Sequence, residues 1–139
     1  MAIAEAGADI IAIDGTLRQR PGGEKLADLI DNIHQKLGKL VMADVDTIES
    51  AIASAKAGAD FVGTTLYGYT KETENFNPPG FSLLEEMSQK LKVPIIAEGA
   101  ISTPENAKKA LEYGAYSVVV GTAITGIDLK VKAFQAMFK

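Results

Sequence analysis

An α/β fold built on a parallel sheet is what this sequence predicts, and three observations predict it. Short apolar runs recur at residues 9–14, 40–44, 60–64, 94–99 and 117–121, separated by stretches with helical spacing. Runs apolar at successive positions suit strands covered on both faces. The words Gly-Ala-Asp at 7–9 and 58–60, and Gly-Ala-Tyr at 114–116, each follow a helical stretch and precede one of these runs, so one helix-to-strand joint is repeated along the chain. Each run also ends in an acid or a small polar residue. Strands alternating with helices imply right-handed crossovers between parallel neighbours.

Taken in order, residues 1–8 read as the last turns of a helix ending at Gly7, a residue suited to the left-handed position after a helix. Residues 9–14 form the first strand. Residues 15–23 are a loop by their glycines and proline, and they carry Arg18 and Arg20. Leu26, Leu29, Ile30, Ile33 and Leu37 recur at three- and four-residue steps and give a helix over 24–37 closed by Gly38. His34 falls on its solvent side.

The second strand, 40–44, ends in Asp44. Thr47 then caps a helix with Ile48, Ile52 and Ala55 on one face and Gly58 after its last turn. Strand 60–64 leads into the longest loop, 65–80, with Tyr67, Tyr69, Phe76 and the Pro78-Pro79 pair; loops of this length in compact domains are commonly functional. Leu83, Leu84, Met87 and Leu91 mark a helix over 81–91, and Pro94 opens the fourth strand. Thr103-Pro104 is a capping residue followed by proline at the first helical position, starting a helix that runs to Gly114. The fifth strand, 117–121, precedes a last helix through Val131, Phe134 and Phe138.

Composition bounds the rest. The 139 residues are 47% hydrophobic, enough for one core and one domain. The formal charge is −4 and the basic residues are dispersed, which argues against a nucleic-acid or anionic-membrane surface while allowing a local pocket for a phosphorylated small molecule. Cysteine is absent, so there is no disulfide, thiolate nucleophile or sulfur-ligated metal, as suits a cytoplasmic protein. The apolar N-terminus carries Glu5, Asp9 and Asp14 with no basic segment and does not read as a signal peptide. The longest charge-free apolar stretch, 117–127, is too short to span a bilayer.

An open nucleotide-binding sheet usually carries Gly-x-Gly-x-x-Gly after its first strand, and none occurs here. Polar residues at every strand end fit a (β/α)₈ TIM barrel better, because eight strands supply one shared rim. Five strands do not close such a barrel, which typically takes about 250 residues. The expectation is therefore a single partial barrel domain over residues 1–139.

Asp14, Asp44 and Glu98 each end a strand and converge on that rim. A carboxylate there serves as acid or base if burial raises its pKa; otherwise it accepts hydrogen bonds from its own loop. Gly99-Ala100 and Gly121-Thr122 end the last two strands, where barrels frequently bind phosphate through backbone N–H groups that glycine leaves unobstructed. Glycines at such ends also simply make tight turns, but their paired placement favours phosphate. Arg18 and Arg20 could meet a substrate anion, yet an Arg-x-Arg-Pro loop is more often held by local ion pairs, and at least one is assigned a structural role. No His and Cys cluster exists for zinc, and the acids do not require magnesium, so no metal and no cofactor are expected.

Several words are more specific than this. They are Ala-Asp-Ile-Ile-Ala-Ile-Asp-Gly-Thr-Leu-Arg-Gln-Arg-Pro at 8–21, Met-Ala-Asp-Val-Asp-Thr at 42–47, Gly-Thr-Thr-Leu-Tyr-Gly-Tyr-Thr at 63–70, Ile-Ala-Glu-Gly-Ala-Ile-Ser-Thr-Pro at 96–104 and Val-Val-Gly-Thr-Ala-Ile-Thr at 119–125. In this order and spacing the chain resembles the N-acetylmannosamine-6-phosphate 2-epimerases of bacterial sialic acid catabolism, from Ala8 to its end. The resemblance implies a (β/α)₈ barrel, with these strands as the fourth to eighth and the first three units lying before Met1. It implies interconversion of N-acetylmannosamine 6-phosphate and N-acetylglucosamine 6-phosphate without redox cofactor or essential metal.

On the same resemblance Glu98 and Asp44 are active-site acids, with Glu98 transferring the C2 proton, and Thr65 and Tyr69 join the substrate candidates. The family's other catalytic group is a lysine on the third strand, outside this sequence. Gly126 stands where the family usually has a substrate-site arginine. Two other readings remain: a different phosphate-binding barrel enzyme, such as a decarboxylase or synthase, and a non-catalytic half-barrel. Open strand edges and an apolar interior would drive such a half-barrel to self-associate as a homo-oligomer.

Overall fold

A computed structural model describes residues 2–138. Five parallel strands, β1 (Ile10–Asp14), β2 (Leu40–Asp44), β3 (Phe61–Gly63), β4 (Ile95–Ala97) and β5 (Ser117–Val118), lie side by side in chain order. Helices α1 (Ala2–Glu5), α2 (Leu26–Asn32), α3 (Ile48–Lys56), α4 (Phe81–Lys90), α5 (Pro104–Glu112), α6 (Thr122–Thr125) and α7 (Ile127–Ala136) complete the alternation. This is the partial (β/α)₈ barrel read from the sequence, five consecutive units with an open edge at β1 and another at β5.

The register decides which residues share a face. Asp14 pairs with Asp44, Asp44 with Gly63, Gly63 with Ile96 and Ile96 with Ser117. With side chains alternating along each strand, one face carries Ile11, Val41, Ala43, Val62, Ile95 and Ala97, all buried beneath the helices. There they join Ile30 and Ile33 from the α2 side, and Leu83, Leu84 and Met87 from α4. The other face carries Ile10 and Leu40, which are exposed, and Met42, Phe61 and Ile96, which are half-buried.

The local signals hold where they are chemical. Thr47 and Ser50 form a reciprocal capping box at the start of α3, and Thr103 Oγ1 accepts the Asn106 N–H at the start of α5. Gly7, Gly58 and Gly114, the repeated joint, share a left-handed φ of 92°, 101° and 97°. At Gly114 space is short as well, because a Cβ would lie 2.6 Å from that of Ser88.

Four expectations are corrected. The helix expected over 24–37 is α at Leu26–Asn32 and widens into a π turn at Ile33–Leu37 before Gly38. His34, on that turn, does not face solvent freely: its Nε2 lies 2.8 Å from Asp60 Oδ2, an oxygen that also accepts the Val41 N–H. In α3 the fully buried residues are Ser50, Ala51 and Ser54, while the face of Ile48, Ile52 and Ala55 is half-buried. The two serines turn inward because they have partners there, Asp46 Oδ1 and the Gly15 carbonyl. Finally, β5 pairs only over Ser117–Val118, since its one neighbour, β4, ends at Ala97, and the last helix divides at Gly126 into α6 and α7.

Candidate active site

Alternation carries Glu98, two residues past Ile96, to the open face, together with Thr65, Asp44 and Asp14. The Thr65 hydroxyl donates to Asp44 Oδ1 at 2.7 Å. Gly63 makes this approach possible: a Cβ there would stand 3.0 Å from Asp44 Oδ1 and 3.1 Å from Thr65 Oγ1. Burial pushes the Asp44 pKa up to about 6, opposed by the Thr65 hydrogen bond and reinforced by the negative charges of Glu98 and Asp14. Asp44 therefore exchanges protons near neutrality, where an acid or base is useful.

Glu98 is held by its backbone rather than by its carboxylate. The Thr64 hydroxyl donates to the Glu98 carbonyl at 2.8 Å and accepts the Glu98 N–H at 3.0 Å. Gly99 and Ala100 follow with φ of 97° and 55°, so the chain turns sharply just beyond the acid. A left-handed alanine is a mild strain of the kind that concentrates at functional sites. The Glu98 carboxylate has no hydrogen-bond partner among the described residues and borders a cleft of about 660 Å³.

That cleft gathers most of the candidates. Thr65, Tyr69, Gly99, Ala100, Gly121 and Thr122 all line it. A Cβ on Gly121 would meet nothing within 4 Å, so the space before it is open to a ligand. Asp44 stands behind Thr65 rather than on the cleft wall.

Asp14, Arg18 and Arg20 do not reach the cleft. Arg18 pairs with Asp14 Oδ2 at 2.7 Å and donates to Thr16 Oγ1 at 3.0 Å, while Arg20 donates to the Asp14 and Thr16 carbonyls. Burial raises the Asp14 pKa, but the hydrogen bonds from Thr16 and the charge of Arg18 outweigh it and hold the carboxyl below 3.8. Both arginines are thus tied into the β1–α2 loop.

Residues not singled out from sequence support the site. Buried Asp46 accepts from Ser50 Oγ at 2.9 Å and from Thr70 Oγ1 at 2.7 Å; Thr70 lies 3.0 Å from Thr73, whose hydroxyl accepts the Gly68 N–H. These contacts tie the loop that carries Thr65 and Tyr69 to the end of β2. Asp46 and Thr70 both sit inside the specific words at 42–47 and 63–70, which was the available signal. Lys130, on α7, also lines the cleft.

A family model described as "Putative N-acetylmannosamine-6-phosphate epimerase" matches residues 1–139. The chain belongs to this epimerase family. A curated member from Synechococcus elongatus is 58% identical over 134 residues, covering 96% of this chain and 58% of its own length. One from Thermosynechococcus vestitus is 57% identical over 139 residues, covering 100% of this chain and 60% of its own. Both carry the same qualified name, as 2-epimerases.

The structure of the N-acetylmannosamine-6-phosphate 2-epimerase from Clostridium perfringens matches with a TM-score of 0.89 at 47% identity, over 97% of this chain and 58% of that one. The chain therefore spans 58 to 60% of the length of these epimerase-family relatives. Thiamine phosphate pyrophosphorylase from Pyrococcus furiosus, at 21% identity and a TM-score of 0.65, shares the fold alone.

Proposed function

We propose that this chain supplies the acid side and the phosphate loops of a sugar-phosphate 2-epimerase that interconverts N-acetylmannosamine 6-phosphate and N-acetylglucosamine 6-phosphate, within sialic acid catabolism in the cytoplasm. The observation that carries the reading is the placement of Glu98 and the Asp44–Thr65 pair on the open face beside a cleft bordered by Gly99 and Gly121. In the open-chain sugar, C2 lies next to the C1 aldehyde. A base removes the C2 proton, the C–H electron pair moves into the C1–C2 bond, and the carbonyl π pair becomes the C1 oxyanion of an enolate that keeps the acetamido group on C2. Return of a proton to the opposite face of C2 inverts it and restores the aldehyde.

Glu98, whose carboxylate faces the cleft with no hydrogen-bond partner among the described residues, serves one face of C2. Asp44, protonated in part near neutrality, donates toward the developing oxygen charge or relays through Thr65. The other face needs a second proton-transfer group, and no strand among the described residues carries a lysine. The chain alone is then inactive or nearly so, and its two open edges favour homo-oligomers. No described helix is long and apolar enough to cross a membrane.

The test is conversion, and C2 exchange in D2O, of N-acetylmannosamine 6-phosphate by the chain alone and by the chain fused behind the remaining N-terminal part of the Thermosynechococcus vestitus relative. The expected result is activity only in the fusion, abolished by Glu98→Gln. Ordinary turnover by the chain alone removes the need for a second group from outside it. A folded fusion that converts a different sugar phosphate, or none, sinks the epimerase assignment.

A further inference from the structure

A dianionic phosphate brought beside Glu98 needs positive charge near it, and backbone N–H groups alone leave the two anions facing each other. The cations expected from the sequence are unavailable, since Arg18 and Arg20 are tied to Asp14 and Thr16 and lie off the cleft. Position 126 offers none: it is glycine, and a Cβ there would stand 2.6 Å from the Thr122 carbonyl oxygen. Lys130 is the one cationic residue among the described residues that line the cleft.

Its placement is helical arithmetic. Leu129, Lys130 and Ala133 face the cleft from consecutive turns of α7, while Ile127, Val131 and Phe134 lie exposed elsewhere on the helix. Lys132, two residues on, is paired with Asp128 at 3.6 Å. Lys130 has no carboxylate within ion-pair distance among the described residues, so its ammonium is uncommitted.

We propose that Lys130 is the phosphate anchor of this cleft. Its ammonium binds the phosphate monoester as a point charge, in the cleft that Gly99, Gly121 and Thr122 also line, and so fixes the phosphorylated end of the substrate against α7 while the reacting carbon lies toward Glu98. The proposal rests on the phosphate part of the epimerase reading and adds the residue that supplies the charge.

The probe is inorganic phosphate at low ionic strength, titrated into the 139-residue chain and followed through the amide signals of Gly99, Gly121 and Thr122. The comparison is among wild type, Lys130→Ala, Lys130→Arg and Lys132→Ala, with far-UV circular dichroism to check folding. Lys130 is exposed and alanine favours helix, so the variant keeps its fold. The expected result is saturable binding, weakened about ten-fold or more in Lys130→Ala, in line with a lost charge-assisted hydrogen bond, largely kept in Lys130→Arg and unchanged in Lys132→Ala. Equal affinity in Lys130→Ala and wild type overturns the anchor while leaving a phosphate cleft. Absence of saturable binding in wild type overturns the anchor and the phosphate reading together. Lys130-dependent binding in a completed barrel that does not epimerise amino-sugar phosphates upholds the anchor and removes the epimerase assignment.

Discussion

The two faces of the sheet are made of the same residue types and differ in what covers them. Val41, Ala43 and Val62 are 0% exposed beneath the helices, whereas Ile10, Leu40 and Val119, one step out of phase, are 42%, 45% and 39% exposed. Strands apolar on both sides belong to sheets with two covers, helices outside and the other strands of a closed barrel inside. Among the described residues the outer cover is built, while the inner face is left exposed to half-buried. Stability therefore resides on one face, and the candidate site stands at the rim of the other.

The largest effect expected from this contrast is a pair of truncations. Leu84→Ala, beneath the helices, costs about 2–5 kcal/mol in urea unfolding, while Leu40→Ala on the open face costs under about 0.5 kcal/mol. Comparable losses at the two sites would mean that the open face is covered in solution, as self-association would do.

A smaller effect lies at the rim. Gly63→Ala places a Cβ against Asp44 Oδ1 and Thr65 Oγ1, so the carboxyl–hydroxyl pair must part, at about 1–3 kcal/mol. A variant as stable as wild type, with the Asp44 midpoint unmoved, would show that the pair tolerates the intrusion.

The smallest effect is read in the titration of Asp44 by carboxyl NMR. Its midpoint falls near 6; Glu98→Gln lowers it by removing a like charge, and Thr65→Val raises it by removing a donor. The sign for stability follows from the raised pKa. The folded chain binds this proton more tightly than the unfolded chain, so the contribution favours folding below 3.8, weakens as pH rises from 3.8 to about 6, and is level above that. A midpoint insensitive to Glu98→Gln would separate the two acids electrostatically.

The outline of this fold was legible wherever a residue acts on its own neighbours. Thr47 and Thr103 cap, Gly38 closes a helical turn, and β2 runs over Leu40–Asp44 as read, because these effects are decided within a few residues. Their positions at strand ends also let Asp14, Asp44 and Glu98 be placed on one rim. Contacts across the fold were not legible. The partner of His34 lies 26 residues away, the inward turn of Ser50 and Ser54 in α3 is set by Asp46 and Gly15, and β5 is short because β4 is. Lys130 was missed for the same reason: the turn at Gly126 sets which side of α7 meets the cleft.

That turn also constrains how the site can change. With the Thr122 carbonyl 2.6 Å from where a Cβ would lie, residue 126 cannot exchange glycine for a larger residue while the backbone stays as it is. A long cationic side chain at 126 and the present path into α7 exclude one another. Any lineage or design passing between the two must move the backbone before it changes the side chain, so position 126 is epistatic to the turn that holds it, and single substitutions there report on the turn rather than on charge.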